Sequence, residues 1–112
     1  MQEQLGLPDP VRNALADLKG KRVLHLQCAT GEATIELAEL GAMVTGVDIS
    51  NDALDLARER GPSILWMQGD VQALPAELRR GRFDLVYTGE GVVSQLHDLD
   101  AWASGIASAL KP

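Results

Sequence analysis

Apolar positions along this chain switch between two periods, short β-favouring runs and longer stretches spaced for a helix. After Asp9-Pro10, a capping carboxylate with proline in the first turn, Val11, Ala14, Leu15 and Leu18 form one helical stripe that Gly20 ends. Arg22-Val23-Leu24-His25-Leu26 then reads as a strand, Gln27-Cys28-Ala29-Thr30-Gly31 as a tight loop, and Glu32 to Leu40 as a helix closed by Gly41. The unit repeats. Met43-Val44-Thr45-Gly46-Val47 is a second strand with Asp48 at its carboxyl end, and Ser50 caps a helix from Asn51 to Arg60.

Gly61-Pro62 breaks the chain, and a third strand from Ser63 to Met67 leads into Gln68-Gly69-Asp70, again a polar loop with an acid just past a strand. A short helix is predicted from Gln72 to Arg79. The basic run Arg79 to Arg82 then reads as that helix's end with a turn at Gly81. Phe83-Asp84-Leu85-Val86-Tyr87 is the fourth strand, and Leu99, Trp102, Ala103, Ile106, Ala107 and Leu110 form a helical stripe starting near Asp98. Strands alternating with helices imply an α/β protein: an open, mostly parallel sheet with helices on both faces. At 112 residues it is one domain, with an N-terminal helical segment over 1–20 and a core over 21–112.

Composition narrows the function classes. The net charge of -6 repels a phosphate backbone, so nucleic acid is excluded as a partner. One cysteine rules out an internal disulfide, and the two histidines lack ligand-like spacing, so no metal is expected. With neither a basic, apolar leader nor a run long enough to span a bilayer, the expectation is a cytoplasmic protein without membrane contact.

Ligands of open parallel sheets bind beyond the carboxyl ends of the strands where strand order reverses, here between the first and fourth. The polar features above fall on that edge. The loop from Gln27 to Gly31 runs into a helix N-terminus, whose free N–H groups and positive dipole end suit a carboxylate, and Gly31 permits close approach of backbone and ligand. Asp48 follows that loop by about twenty residues, the offset at which a strand-two acid accepts both hydroxyls of a ribose. Asp70 is placed to accept from an exocyclic amine while the Val71 backbone meets a ring nitrogen, together reading an adenine edge. His25 and Cys28 read as buried structural residues, Trp66 and Trp102 as packing, Glu90 as a solvated loop residue, and His97 as lacking an identifiable partner.

Val23 to Gly31, Val44 to Ser50, Gly69-Asp70 and Phe83 to Gly89 resemble successive motifs of the class I S-adenosylmethionine-dependent methyltransferases, Rossmann-like enzymes. Leu110-Lys111-Pro112 resembles the start of their Leu-Lys-Pro-Gly-Gly motif, and Leu96-His97-Asp98-Leu99 a Leu-Pro-Asp-Leu stretch of bacterial members. The resemblance implies that the Gln27 to Gly31 loop holds the methionine moiety, Asp48 the ribose, Asp70 and Val71 the adenine, and Tyr87 to Gly89 the floor near the methyl group. The implied cofactor-binding set is Gln27, Cys28, Ala29, Thr30, Gly31, Asp48, Ile49, Asp70, Val71, Tyr87, Thr88 and Gly89, with no catalytic residue assigned. The sequence departs from the family at His25, where an acid is usual, and at Gln27 and Ala29, where the first two glycines of a Gly-x-Gly-x-Gly loop stand.

The implied activity is methyl transfer from S-adenosylmethionine, with S-adenosylhomocysteine as product, to a small-molecule acceptor that the sequence does not name. The chain stops where the family's fifth strand begins. That predicts the cofactor-binding half of the fold, a four-stranded sheet ordered 3-2-1-4 without strands five to seven, and a strand-four edge open to a homodimer or domain swap. The rival class is a non-catalytic nucleotide-binding module, or an engineered or ancestral half-Rossmann scaffold. A nicotinamide enzyme is disfavoured because Gly-x-Gly-x-x-Gly is missing.

Overall fold

The computed structural model describes residues 18–88 and 99–112, the side chains of 99–102 excepted. The predicted first helix, Gly89, Glu90, the 91–98 stretch with His97, and the side chain of Trp102 lie outside the described residues. Within them the chain forms one parallel sheet in the order β3-β2-β1-β4, as the sequence implied. Its strands are β1 (Arg22–Leu26), β2 (Met43–Asp48), β3 (Leu65–Gln68) and β4 (Leu85–Thr88), and its helices α1 (Glu32–Glu39), α2 (Asn51–Arg60) and α3 (Leu99–Ala109). Leu26 stands opposite Val47 on one side and Thr88 on the other, and Asp48 opposite Gln68, so all four strands finish along one edge.

Side chains alternating along β1 and β2 supply both faces of the core. Leu24, Leu26 and Val47 pack with Val71, Leu74, Leu78, Phe83 and Ala109, the layer under α3. Val23 and Val44 pack with Leu18 and with Leu37 of α1, while Trp66 packs with Cys28 and with Leu54 and Ala57 of α2. Leu24, Leu26, Leu37 and Leu54 are fully buried, each stabilising the fold by about 2 kcal/mol relative to exposure. Ser50 caps α2 as expected, its hydroxyl accepting from the Ala53 N–H at 3.2 Å.

Several expectations are corrected. No α-helix forms from Gln72 to Arg79; a single 3-10 turn, Ala76–Leu78, stands there. Pro75 removes an N–H and bars Leu74 from helical geometry, while Asp70 accepts from the Gln72 N–H at 2.8 Å and bridges to Ala73. Arg79 to Arg82 therefore end no α-helix, although Gly81 does turn at φ +65. The third strand starts at Leu65 because the Gly61 to Ile64 turn, closed by a 3.1 Å hydrogen bond from the Ile64 N–H to the Gly61 carbonyl, holds Ser63.

The fourth strand starts at Leu85, not Phe83, and ends at Thr88. Phe83 instead bridges in parallel to Leu110, and Asp84 turns back to accept from the Arg22 N–H at 2.8 Å and pair with Lys111 at 3.0 Å. On α3 the exposed residues include Ala103 and Ala107; the buried face runs through Gly105, Ile106 and Ala109. A Cβ on Gly105 would lie 3.2 Å from Leu74, which is why this helix accepts a glycine in its interior. No helix among the described residues is long and apolar enough to cross a membrane.

Candidate functional site

The loop after β1 has an unusual backbone. Gln27, Ala29 and Gly31 take φ of +55, +51 and +91, so every second residue is left-handed. For Gln27 and Ala29, which carry a Cβ, this costs on the order of 1 kcal/mol each. The loop is held by its neighbours: the Cys28 N–H donates to the Val47 carbonyl at 3.0 Å, the Gly31 N–H to the Cys28 carbonyl at 3.0 Å, and the Ala29 N–H to Asp48 Oδ2 at 2.9 Å.

Gly31 is required from below. A Cβ there would meet Trp66 Cη2 at 2.8 Å and Ala57 Cβ at 3.0 Å, and one on Gly46 would meet Trp66 Cε3 at 2.6 Å. Trp66 is thus wedged between the two glycines, with its indole N–H donating to the Gly61 carbonyl at 2.8 Å. The sequence reading credited Gly31 with room for a ligand; packing under the loop demands glycine independently.

Asp48 links two strand ends. Its Oδ2 accepts from Ala29, and its Oδ1 accepts from the Ser50 N–H at 2.9 Å. A carboxylate oxygen has two lone pairs, so after these bonds each oxygen retains one for a further donor. Ile49, beside it, is 65% exposed, an apolar side chain bare at the polar edge. Gln68 reinforces this corner, its Nε2 donating to the Ile49 carbonyl at 3.2 Å. Asp70 stands on the same edge in its own turn, whereas the Val71 side chain is buried in the core, leaving only its backbone for a ligand. Tyr87 and Thr88 end β4 and are half-buried; Gly89 lies outside the described residues.

Beneath the loop, His25 is buried with its Nδ1 2.6 Å from Thr34 Oγ1, and its ring lies 5.1 Å from that of Tyr87. Burial pushes the imidazole down to about 4 against the opposing pull of the Asp48 charge, so the ring is neutral near pH 7. Burial likewise pushes the Cys28 thiol up to about 12, with the Asp48 charge adding to the effect. Cys28 is a packed thiol and no nucleophile at neutral pH.

The helix end is also occupied by the chain's own charge. Thr30 donates its hydroxyl to Glu32, and Arg60 of α2 pairs with the same carboxylate. Partial burial raises the Glu32 pKa, but Thr30, the backbone N–H and Arg60 together hold it below the usual glutamate range. Sequence reasoning missed Thr34, Gln68 and the Glu32–Arg60 pair. The last joins residues 28 positions apart, for which local spacing carries no signal. Among the described residues no cluster of His, Cys, Asp or Glu could hold a metal ion. A hollow of about 630 Å³ lies at the opposite sheet edge among Arg22, Met43, Leu65 and Phe83, away from all these groups.

A parallel sheet ordered β3-β2-β1-β4, with a left-handed loop after β1, an acid ending β2 and a second acid following β3, defines a Rossmann-like α/β domain. The family model described as a methyltransferase domain matches residues 23–112. The chain belongs to that methyltransferase family. It is 39% identical over 107 residues to an uncharacterised methyltransferase of Synechocystis, covering 92% of this chain and 48% of that protein. It is 43% identical over 75 residues to a ubiquinone biosynthesis O-methyltransferase of Nitrosococcus oceani, covering 63% of this chain and 31% of the relative. Its fold matches an S-adenosylmethionine-dependent methyltransferase of Mesorhizobium loti with a TM-score of 0.80 at 29% identity, over 92% of this chain and 48% of that one. The chain thus spans about half, or less, of the length of the relatives it matches.

Proposed function

We propose that this domain binds S-adenosylmethionine along the carboxyl edge of its sheet and serves methyl transfer to a small-molecule acceptor. The observation that carries the reading is Asp48. Its two oxygens are each fixed by one backbone N–H, from Ala29 and Ser50, which aims the carboxylate's remaining lone pairs as a ribose diol requires. Ile49 supplies an apolar surface for an adenine face, Asp70 an acceptor for its amine, and the Gln27 to Gly31 loop a cradle for the amino-acid end. Tyr87 and Thr88, which end β4, are the residues proposed for the floor of the methyl end.

When bound, the cofactor would supply an electrophilic methyl group on a sulfonium, whose sulfur leaves as the neutral thioether of S-adenosylhomocysteine. The protein's part is alignment and exclusion of water, so a dedicated base is not required. Neutral His25 and protonated Cys28 fit that division, since they support the loop without adding charge to it. The family resemblance to an O-methyltransferase of ubiquinone biosynthesis supports a small organic acceptor. Self-association through the outer edge of β4, where Phe83 to Leu110 is the one bridge among the described residues, is part of the same proposal and is tested by light scattering.

Isothermal titration with S-adenosylmethionine, S-adenosylhomocysteine and NAD tests the cofactor. The expected result is heat with both adenosyl ligands, none with NAD, and at least roughly tenfold weaker binding in Asp48→Ala, the loss of one or two charge-assisted hydrogen bonds. Absence of heat with either adenosyl ligand overturns the reading.

A further inference from the structure

The edge where the strands start, opposite the strand ends described above, gathers most of the cations of this acidic chain. Lys19, Lys21 and Arg22 lead into β1, Arg79, Arg80 and Arg82 precede Phe83, and Lys111 follows α3. Backbone hydrogen bonds draw these segments into one row. The Met43 N–H donates to the Lys21 carbonyl at 2.8 Å, the Asp84 N–H to the Arg22 carbonyl at 2.7 Å, and the Lys111 N–H to the Phe83 carbonyl at 2.9 Å. Asp84, the acid inside the row, is already held by the Arg22 N–H and by Lys111. Glu39, Glu59 and Glu77 flank it, at the ends of α1 and α2 and in the 3-10 turn, fewer than the cations. Lys19, Lys21, Arg79, Arg80 and Arg82 are exposed and form no ion pair among the described residues.

Apolar surface lies bare in the same place. Met43 and Leu65, which start β2 and β3, are 57% and 59% exposed. Met43 stands opposite Arg22, and Thr45 opposite both Leu24 and Leu65, so by alternation these side chains share one sheet face with Leu24. Together with Ile64 and Phe83 they line the hollow of about 630 Å³, a size at which clefts hold a ligand group. The Arg22 guanidinium carbon stands 5.6 Å from the centre of the Phe83 ring, so one wall of the hollow is itself cationic.

We infer that this edge is a docking surface for a short acidic segment of a partner protein, its carboxylates on the cationic row and an apolar side chain in the hollow. Charge complementarity selects that occupant. A short segment feels the charges within a Debye length, about 8 Å at physiological salt, and those are the row. A long polyanion such as RNA meets the net charge of -6 as well, and finds no exposed ring here for its bases, since Phe83 is 5% exposed. A bilayer presents a flat face, whereas Met43 and Leu65 line a concavity. The surface lies at the far end of the strands from Asp48, so the occupant and a ligand at the strand ends bind together.

Fluorescence anisotropy on the whole chain, with a labelled peptide of glutamates around a leucine, tests this. Binding is expected, weakening as salt screens the exposed charges, and roughly tenfold weaker in Arg79→Glu/Arg82→Glu, which reverses two rim charges. Leu65→Ser should weaken it roughly threefold to tenfold through lost apolar contact, while leaving a glutamate-only peptide unaffected. A matching lysine peptide should not bind, and S-adenosylhomocysteine should not compete. These substitutions fall at exposed positions, so unchanged melting temperatures are expected. Should the charge reversal melt lower, Arg79→Gln/Arg82→Gln reads the same loss at about half the logarithmic size. Absence of binding, equal binding in the charge variants, or competition by S-adenosylhomocysteine overturns the proposal. Tighter binding to phosphatidylglycerol vesicles or to polyuridylate than to the peptide also overturns it, assigning the edge to a membrane or to RNA. So does a concentration-dependent dimer that Leu65→Ser disrupts, which assigns the hollow to a second copy of this chain.

Discussion

Lowering the pH from 7 to 4 should destabilise this protein through one histidine before most carboxylates respond. His25 is 3% exposed and holds its neutral ring against Thr34 at 2.6 Å. In the folded chain its pKa is pushed from 6.5 down to about 4 by burial, the Asp48 charge opposing. Below 6.5 the unfolded chain takes up the proton and the folded chain does not, so stability falls with falling pH. The contribution is fully present above pH 6.5 and is lost as pH falls toward 4. At 1.36 kcal/mol per pKa unit the full loss is about 3 kcal/mol, of which about 2 kcal/mol has gone by pH 5.

Urea denaturation at pH intervals between 7 and 4.5 reads this slope. Glu32 and Asp84 have pKa values lowered from 4.5 and 3.8, so their stabilisation is lost as the pH drops below those values, outside the window. Asp84 owes its shift first to the Arg22 N–H and then to Lys111. In His25→Gln the slope across the window should largely vanish. A resonance assigned to His25 that titrates near 6.5 in the folded wild type, or a slope unchanged in the variant, would refute the assignment.

Two predictions concern the loop above that histidine. Gly31→Ala drives a Cβ to 2.8 Å from Trp66 at a φ of +91, and should cost about 2–4 kcal/mol by urea denaturation, with weakened adenosyl-ligand binding. A loss below about 1 kcal/mol would mean that Trp66 yields easily. Ala29→Gly removes a left-handed Cβ at φ +51 and should leave the melting temperature unchanged or raise it, by up to about 1 kcal/mol of stability. A clear drop would show that the Ala29 methyl packs usefully.

The fold was legible because its signals are local and repeated. Each strand is a short apolar run closed by a turn residue, and Ser50 and Gly41 mark helix ends by chemistry that operates over three or four residues. The sequence reading failed where distant parts decide. Phe83 looks like a strand residue, yet Leu110 takes its pairing. The stretch after Asp70 has helical spacing, yet Pro75 and the Asp70 turn hold it to one 3-10 turn. The places of Asp48 at the end of β2 and of Asp70 just after β3, on one sheet edge, were readable from local pattern. Thr34 and Arg60 were not, since their partners are chosen by the packing of α1 and α2.

The strand-one loop separates residue type from backbone shape. A glycine pattern in sequence is one way to meet a dihedral requirement, since glycine enters the left-handed region without a clash. Here Gln27 and Ala29 meet the same requirement with Cβ atoms in place, at φ +55 and +51. The cost of about 1 kcal/mol apiece is offset by bonds that exist only in this shape, Cys28 to Val47 and Ala29 to Asp48. Because Asp48 both fixes the loop and faces the edge where a ribose is proposed to bind, loop shape and ligand affinity are coupled through one carboxylate. Asp48→Asn, which can keep one oxygen acceptor but not two, should therefore weaken the adenosyl ligands and lower stability together, whereas Gln27→Gly should bring no loss of stability. Parallel effects of the two substitutions on stability would break that coupling.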